Sequence, residues 1–340
     1  MKPAALKKLK AILAKPKRIV IITHWSPDGD AMGSSLGLYN FLLKKKHKVS
    51  VITPNEAPSF LNWMPGTNKV IDFQKEPAKS AKLVASAELI FCLDFNSLSR
   101  IDKLGPMVEN SAALKMMIDH HLEPDGFADY MHHSIKACST CELIFTLIEM
   151  IGEKKLIDRK IANCLYTGIM TDTGSFRFPS TTAETHRVVA GLIEAGAENA
   201  DIHNRIYDGS TESRLRLLGY CLSEKMVILK EYHTGYITLS DEEHKRFSYQ
   251  KGDTEGLVNY ILSLKGIKFA VFMSERDGMI KISFRSKGGF DVNTFARKHF
   301  TGGGHKNAAG GASNESLGDT VKKFTALVPK YKKELQDEKF

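Results

Sequence analysis

Eight side chains able to hold a divalent cation or move a proton fall into four short stretches of this sequence. His24, Asp28 and Asp30 occur in Thr23-His-Trp-Ser-Pro-Asp-Gly-Asp-Ala-Met-Gly-Ser34, and Asp94 in Leu93-Asp-Phe-Asn-Ser-Leu-Ser-Arg100. Asp119, His120 and His121 are consecutive, and Asp172 lies in Gly168-Ile-Met-Thr-Asp-Thr-Gly-Ser-Phe-Arg-Phe178. Imidazole and carboxylate with no thiolate suit Mn²⁺ or Mg²⁺, with Fe, Co and Zn admitted by affinity. Carboxylates gathered without a cation repel one another strongly, so two divalent ions are the economical expectation. Taken singly, each residue also has a structural reading. Pro27-Asp-Gly-Asp30 is good turn chemistry ahead of a helix, and alone reads as well as a turn as it does as a metal site.

What favours the metal reading is position, because the clusters recur just past the ends of successive apolar runs. Arg18-Ile-Val-Ile-Ile-Thr23 is short and β-branched, with Pro16-Lys17 before it, and reads as a buried strand. Residues 48–53, 88–94 and 115–119 read the same way, and a helix is expected over 34–46. Strands alternating with helices predict an α/β fold with a mainly parallel, doubly wound sheet. Its carboxyl edge is where ligands bind and where side chains tens of residues apart converge. Further helices are expected over 158–171, with Asp158 as N-cap, and over 182–195, closed by Gly196, while Gly174 allows a sharp turn beyond Asp172.

A polar stretch followed by helical periodicity marks residues 209–228 as a helical linker between domains at 1–208 and 229–340. The second domain is expected to be a smaller α/β unit. Strands are predicted at 232–239 and 267–273, with a helix over 255–264 between them. Glu275-Arg-Asp-Gly278 signals a hairpin into residues 279–285. A helix over 291–300, the glycine-rich loop Thr301-Gly-Gly-Gly-His-Lys-Asn-Ala-Ala-Gly-Gly311 and a lysine-rich helix from Leu317 complete it.

At 340 residues the chain has room for two cores. The net charge of +9 favours acidic partners, although part of it is concentrated in residues 1–18 and in Lys44-Lys45-Lys46. Leu6, Leu9, Ile12 and Leu13 share one helical face, so the amino terminus predicts an amphipathic helix docked on the body. It lacks the unbroken apolar segment of a signal peptide, and no stretch approaches the roughly 18–20 apolar residues of a membrane span. Five scattered cysteines make no disulfide framework. Cys138-Ser-Thr-Cys141 has no second pair to complete a zinc site and reads as structural, at the head of a helix. These features predict a cytoplasmic protein with no membrane association and no obligate protein partner.

In order along the chain, H-W-S-P-D-G-D-A-M-G-S, L-D-F-N-S-L-S-R, I-D-H-H and G-I-M-T-D-T-G-S-F-R-F resemble the four motifs of the DHH phosphoesterase superfamily. G-G-G-H-K-N-A-A-G, with Ser-Phe-Arg285-Ser286 upstream, resembles the signature of its DHHA1 domain. The likeness spans most of the chain and is greatest to the compact, stand-alone DHH/DHHA1 nano-RNases that also remove a phosphate from pAp. It implies a DHH catalytic domain, a DHHA1 substrate-binding domain and an active site in the cleft between them. It also implies that His24, Asp28 and Asp94 hold one ion while Asp30, Asp94, His120 and Asp172 hold the other, Asp94 bridging. His121 would contact the scissile phosphate, and Asp119 would orient the histidine pair. Two Mn²⁺ ions are implied, with Mg²⁺ or Co²⁺ as alternatives. Gly302, Gly303 and Gly304 would bring backbone N–H groups to a phosphate, His305 would add a polar contact, and Arg285 with Ser286 would grip it. Arg100 and Arg177 are further candidates for that task.

The substrates so implied are RNA or DNA oligonucleotides of about two to five residues, linear dinucleotides such as pApA, and pAp, cleaved to AMP and phosphate; a long polymer needs an extended basic groove. Phe95-Asn96 departs from the acidic or small polar residue that many relatives carry after the bridging aspartate, which bears on substrate preference. Three other enzyme readings share parts of the pattern. A family II inorganic pyrophosphatase carries an S-R-K-x-Q motif that is absent here, and a RecJ-like single-strand exonuclease carries a further DNA-binding domain. A cyclic-dinucleotide phosphodiesterase is the third. A nucleotide sensor that binds without cleaving is the non-enzymatic alternative, disfavoured by the complete ligand set.

Overall fold

The apolar run Arg18–Thr23 is strand β1, buried from Ile19 to its end, as a strand covered on both faces should be. The chain, described by a computed structural model over residues 1, 3–250 and 252–336, divides into units Met1–Gly209 and Ser210–Phe340. Lys2 of the basic amino-terminal run, Lys251, and residues 337–340 of the expected second domain lie outside the described residues.

In the first unit, helix α1 (Pro3–Ile12) precedes β1, and α2 (Gly29–Lys44) follows it. Then come β2 (Lys48–Thr53), β3 (Ile71–Asp72), α3 (Pro77–Ser86), β4 (Leu89–Leu93), α4 (Leu104–Glu109), β5 (Leu114–Asp119) and β6 (Tyr130–His133). Helices α5 (Thr140–Met150), α6 (Arg159–Asp172), α7 (Ala183–Glu194) and α8 (Asn199–His203) close the unit. The sheet order is β3-β2-β1-β4-β5-β6, parallel throughout. Alternate strand residues face opposite cores. Ile19, Ile21, Phe91 and Ile118 pack with α1, α2, α5 and α6, whereas Val20, Ile22, Ile90 and Met117 pack with α3 and α4. Leu9 and Leu13 enter the first of these cores, so the amphipathic amino-terminal helix is docked as expected.

Three differences from the sequence reading have physical causes. Helix α2 begins at Gly29 rather than at 34, with Asp28 as its N-cap accepting from the amides of Asp30 and Ala31. Glycine disfavours helix, so Gly29 and Gly33 suggest a turn in sequence, while Gly37 falls within the helix expected over 34–46. Spaced four apart, the three form a face pressed onto α6, where a Cβ at Gly33 would lie 2.6 Å from the Cys164 carbonyl oxygen. Asp172 ends α6 and therefore stands at a helix end, not a strand end. Strands β3 and β6 were not anticipated, one being only two residues long and the other the polar Tyr-Met-His-His.

The second unit contains α9 (Glu212–Tyr220), β7 (Val227–Leu229), β8 (Thr234–Leu239), α10 (Asp241–Arg246) and α11 (Leu257–Ser263). It continues with β9 (Phe269–Arg276), β10 (Met279–Ser286), α12 (Val292–His299), β11 (Thr301–His305), β12 (Ala308–Ser313) and α13 (Leu317–Leu327). Its sheet runs β11-β12-β10-β9-β8-β7, antiparallel except between β8 and β9. Asp277 and Gly278 both have positive φ, the type I′ geometry that suits a two-residue hairpin. Phe269, Phe284, Phe295 and Phe324 form the centre of its core. The glycine-rich stretch is not a loop but the hairpin β11–β12. Its glycines answer to close strand approach, since a Cβ at Gly302 would lie 2.1 Å from the Gly310 oxygen.

On β6, burial pushes the His132 imidazole down to about 4, the Met1 ammonium 3.3 Å from its Nδ1 adding to the effect. The unfolded chain, titrating near 6.5, then binds the proton more readily, so the contribution to stability is complete above 6.5 and lost as the pH falls toward 4. Urea unfolding should show about 2 kcal/mol less stability at pH 5 than at pH 7 from this group. His132→Gln should flatten that slope; an identical acid slope in the variant would refute the assignment.

Candidate metal centre

From β1 the chain first builds outward to β2 and β3, then returns to the other side of β1 as β4, β5 and β6. The carboxyl ends of β1 and β4 therefore flank a topological switch point, where open α/β sheets bind ligands. His24 follows β1, Asp94 follows β4, and Asp119 ends β5 ahead of His120 and His121. Asp28 and Asp30 come from the start of α2, and Asp172 from the end of α6, which α2 packs against. The first unit thus gathers all eight residues singled out for chemistry.

Asp94 is their common neighbour. Its Oδ2 lies 3.4 Å from His24 Nε2, and its Oδ1 lies 3.4 Å from His120 Nε2. Around His24 Nε2 is also Asp28 Oδ1 at 3.9 Å. Around His120 Nε2 are Asp172 Oδ2 at 3.5 Å and Asp30 Oδ2 at 3.8 Å. His24, Asp28 and Asp94 form one group whose ligand atoms all lie within 4.8 Å of one another, and Asp30, His120 and Asp172 form a second. The Asp94 backbone has φ of 65°, a left-handed conformation that aspartate tolerates better than most residues, and its N–H donates to Ile118 of β5.

The imidazoles are aimed by their second nitrogens. His24 Nδ1 can only donate to the Trp25 carbonyl, at 2.8 Å, which turns Nε2 toward the acids. His121 Nδ1 lies 2.7 Å from Asp119 Oδ1, and its backbone N–H also donates to Asp119. His133 Nε2 donates to the His121 carbonyl at 2.6 Å.

The charges are unbalanced in a way a cation would relieve. Burial raises the Asp30 carboxyl, and the charges of Asp94 and Asp172 take it well above the ordinary carboxylate range. Burial would raise Asp94 as well, but hydrogen bonds from His120 and His24 carry it well below that range. Burial would lower both imidazoles, yet the hydrogen bond to Asp94 and the surrounding acids raise His24, and raise His120 far more. Oxygen and imidazole donors in two adjoining groups, with Nε2 of His24 turned toward the acids, fit a pair of hard divalent ions.

Several supporting contacts escape a reading of the motifs. Both oxygens of Asp30 accept backbone N–H groups from the first turn of α5, Thr140 at 2.6 Å and Cys141 at 2.9 Å. The available signal was Ser139-Thr-Cys-Glu142, a helix-start pattern in which Ser139 caps the Glu142 amide; such a helix end favours an anion. Phe95 is fully buried and stacks on Phe127, while Asn96 donates to the Leu122 carbonyl and accepts from Asp125. The unusual pair after Asp94 thus anchors the segment that follows His121.

The expected phosphate contacts are more dispersed. Arg100 is half-buried on the turn whose carbonyl accepts the Trp25 N–H, and its charge opposes that of His24. Arg177 is exposed, its guanidinium over the Phe178 ring. In the second unit Arg285 and His305 both register against Ala308, from β10 and β11, so they share one face of the sheet. Ser286 is buried, donating to Phe290 and accepting from Asn307. Gly302, Gly303 and Gly304 all lie on the edge strand β11, where the Gly304 N–H already donates to Asn293.

The DHH family, N-terminal domain, matches residues 18–169, and the DHHA1 domain matches residues 232–334. The chain is 33% identical over 294 residues to the bifunctional oligoribonuclease and PAP phosphatase NrnA of Thermus thermophilus, across 86% of this chain and 83% of that one. It is 30% identical over 296 residues to the protein of the same name from Bacillus subtilis, across 86% and 88%. A crystal structure of an exopolyphosphatase-related protein from Bacteroides fragilis, 42% identical, aligns with a TM-score of 0.94 over 99% of this chain and 98% of that one. This chain belongs to the DHH/DHHA1 family of metal-dependent phosphoesterases.

The centre depends on close packing at Gly168 of α6, where a Cβ would lie 2.2 Å from Cys141 Sγ and 2.8 Å from Asp30 Oδ1. Helix propensity alone predicts that Gly168→Ala stabilises the chain by about 1 kcal/mol, whereas overpacking predicts a loss of about 1–3 kcal/mol. We expect the loss, measured by urea unfolding, together with weaker divalent-metal binding by calorimetry. A more stable variant with unchanged metal affinity would show that α6 has slack beside Asp30.

Proposed function

We propose that this protein is a Mn²⁺-dependent phosphodiesterase and phosphatase acting on RNA of about two to five nucleotides, on linear dinucleotides such as pApA, and on pAp. The observation that carries this reading is Asp94, with Oδ2 3.4 Å from His24 Nε2 and Oδ1 3.4 Å from His120 Nε2, the placement expected of one carboxylate shared by two ion sites. The names of the NrnA relatives support the substrate classes.

In this reading His24, Asp28 and Asp94 hold one ion, and Asp30, Asp94, His120 and Asp172 the other. When bound, the ions supply Lewis acidity toward the phosphoryl oxygens and lower the pKa of the attacking water. His121, fixed through Nδ1 by Asp119, presents Nε2 to the scissile phosphate and donates its proton there to the leaving oxygen. Asp119 remains an acceptor and stabilises the imidazolium. Arg285 and His305, with the Gly302 and Gly303 amides and the polypeptide held by Ser286, grip a substrate phosphate, the Gly304 amide being taken by Asn293, and Arg100 and Arg177 are secondary contributors. All five cysteines are free and buried, which supports a reducing, cytoplasmic setting. Among the described residues, no helix is long and apolar enough to cross a membrane.

Purified protein with Mn²⁺ should be offered 5′-labelled short RNA, pAp, cyclic di-AMP and pyrophosphate. Turnover of the RNA and of pAp, lost with a chelator and restored by Mn²⁺, is expected. Pyrophosphate hydrolysis with inert pApA would sink the reading, and preference for intact cyclic di-AMP would replace its substrate class. Asp94→Asn keeps the shape of the side chain but weakens both ion sites, and should lower kcat by at least about 100-fold. Residual turnover within tenfold would remove Asp94 from the shared position. Arg285→Ala should raise KM several-fold with kcat little changed, and an unaltered KM on every substrate would exclude it from the binding surface.

A further inference from the structure

We propose that Thr140 is a positioning residue whose hydroxyl sets how Asp94 is divided between the two ion sites. The inference rests on the metal-centre reading above and concerns a residue outside its ligand set. Thr140 is fully buried at the first helical position of α5. Its backbone N–H donates to Asp30 Oδ2 at 2.6 Å, and its hydroxyl donates to Asp94 Oδ1 at 3.0 Å. One residue therefore touches the acid that belongs to a single site and the acid shared by both.

The hydroxyl has a specific task because a carboxylate is loosely defined about its last torsion, which is broad and roughly two-fold. Asp94 Oδ1 faces two imidazoles, His120 at 3.4 Å and His121 at 3.8 Å, while Oδ2 faces His24. The backbone hydrogen bond to Ile118 fixes where Asp94 starts, not how its carboxylate plane is turned. A buried donor on Oδ1 fixes that plane and leaves one lone pair of each oxygen directed toward its own site. Groups that hold ligands in this way typically change metal affinity or activity by about 10–100-fold when removed. At the first position of the helix, Thr140 has no helical carbonyl one turn earlier to bond, the usual alternative for a threonine hydroxyl. Cys141 supplies the other amide to Asp30, so loss of the hydroxyl leaves the grip on Asp30 intact.

Thr140→Val removes the hydroxyl and keeps the β-branched shape and the backbone N–H, whereas Thr140→Ser keeps the hydroxyl. Mn²⁺ binding by calorimetry, and the paired-ion signal by electron paramagnetic resonance, should be followed beside kcat, KM and urea unfolding of the metal-free protein. We expect the valine variant to bind the weaker Mn²⁺ equivalent about 10–100-fold less tightly, lose the paired-ion signal and lose kcat with KM unchanged, and serine to stay near wild type. Wild-type binding of both equivalents by the valine variant would overturn the inference, as would equal weakening by valine and serine, which would implicate volume. A wild-type protein that binds no Mn²⁺ would overturn the metal centre itself and this inference with it. If the valine chain does not fold, Thr140→Ala against Thr140→Ser repeats the comparison with the same outcomes.

Discussion

Asp30 and Asp94 are 1% and 2% exposed, and each stands near further acids at the same sheet edge. Desolvated carboxylates so close together oppose folding unless positive charge and directed hydrogen bonds reach them. The first unit meets this constraint from three sides. Imidazoles approach from the ends of β1 and β5, backbone amides approach Asp30 from the start of α5, and the remaining attraction is left for cations. Much of the surrounding structure follows from that need, including the left-handed turn at Asp94 and the second hydrogen bonds that hold the rings of His24 and His121.

Delivering two aspartates from one turn requires that α2 start almost against α6. The glycine face of α2 makes this approach feasible and Gly168 continues it on the other helix. The same residues that weaken the helix locally are thus the ones that bring Asp28, Asp30 and Asp172 to the strand ends. Local preference and tertiary need conflict here, and burial decides the outcome.

That conflict also explains what could be read in advance. The strands at 18–23, 88–94 and 115–119 were legible because parallel strands buried on both faces are largely apolar runs, and the acids that close or follow them mark the functional edge. The start of α2 was not legible, because glycines chosen for close approach look like turn formers. The β11–β12 hairpin was misread for the same reason: Gly302 and its neighbours serve strand contact. Thr140 and Asn96 were invisible because nothing in their own motifs names the distant groups they bind. Their roles depend on which chain segments meet, which is a property of topology rather than of local pattern.

The hydrogen bond from Thr140 to Asp30 spans 110 positions in the chain, and the one to Asp94 spans 46. The centre therefore forms only where β1, β4, β5, α2, α5 and α6, which are far apart in the chain, have come together. Parallel topologies of this kind assemble slowly because their rewards come only from distant contacts. Once complete, the unit alone offers these ligands, so bound metal withdraws molecules from the unfolded pool and raises apparent stability with its free concentration. Persistence of the folded enzyme is then coupled to the supply of the ions it works with.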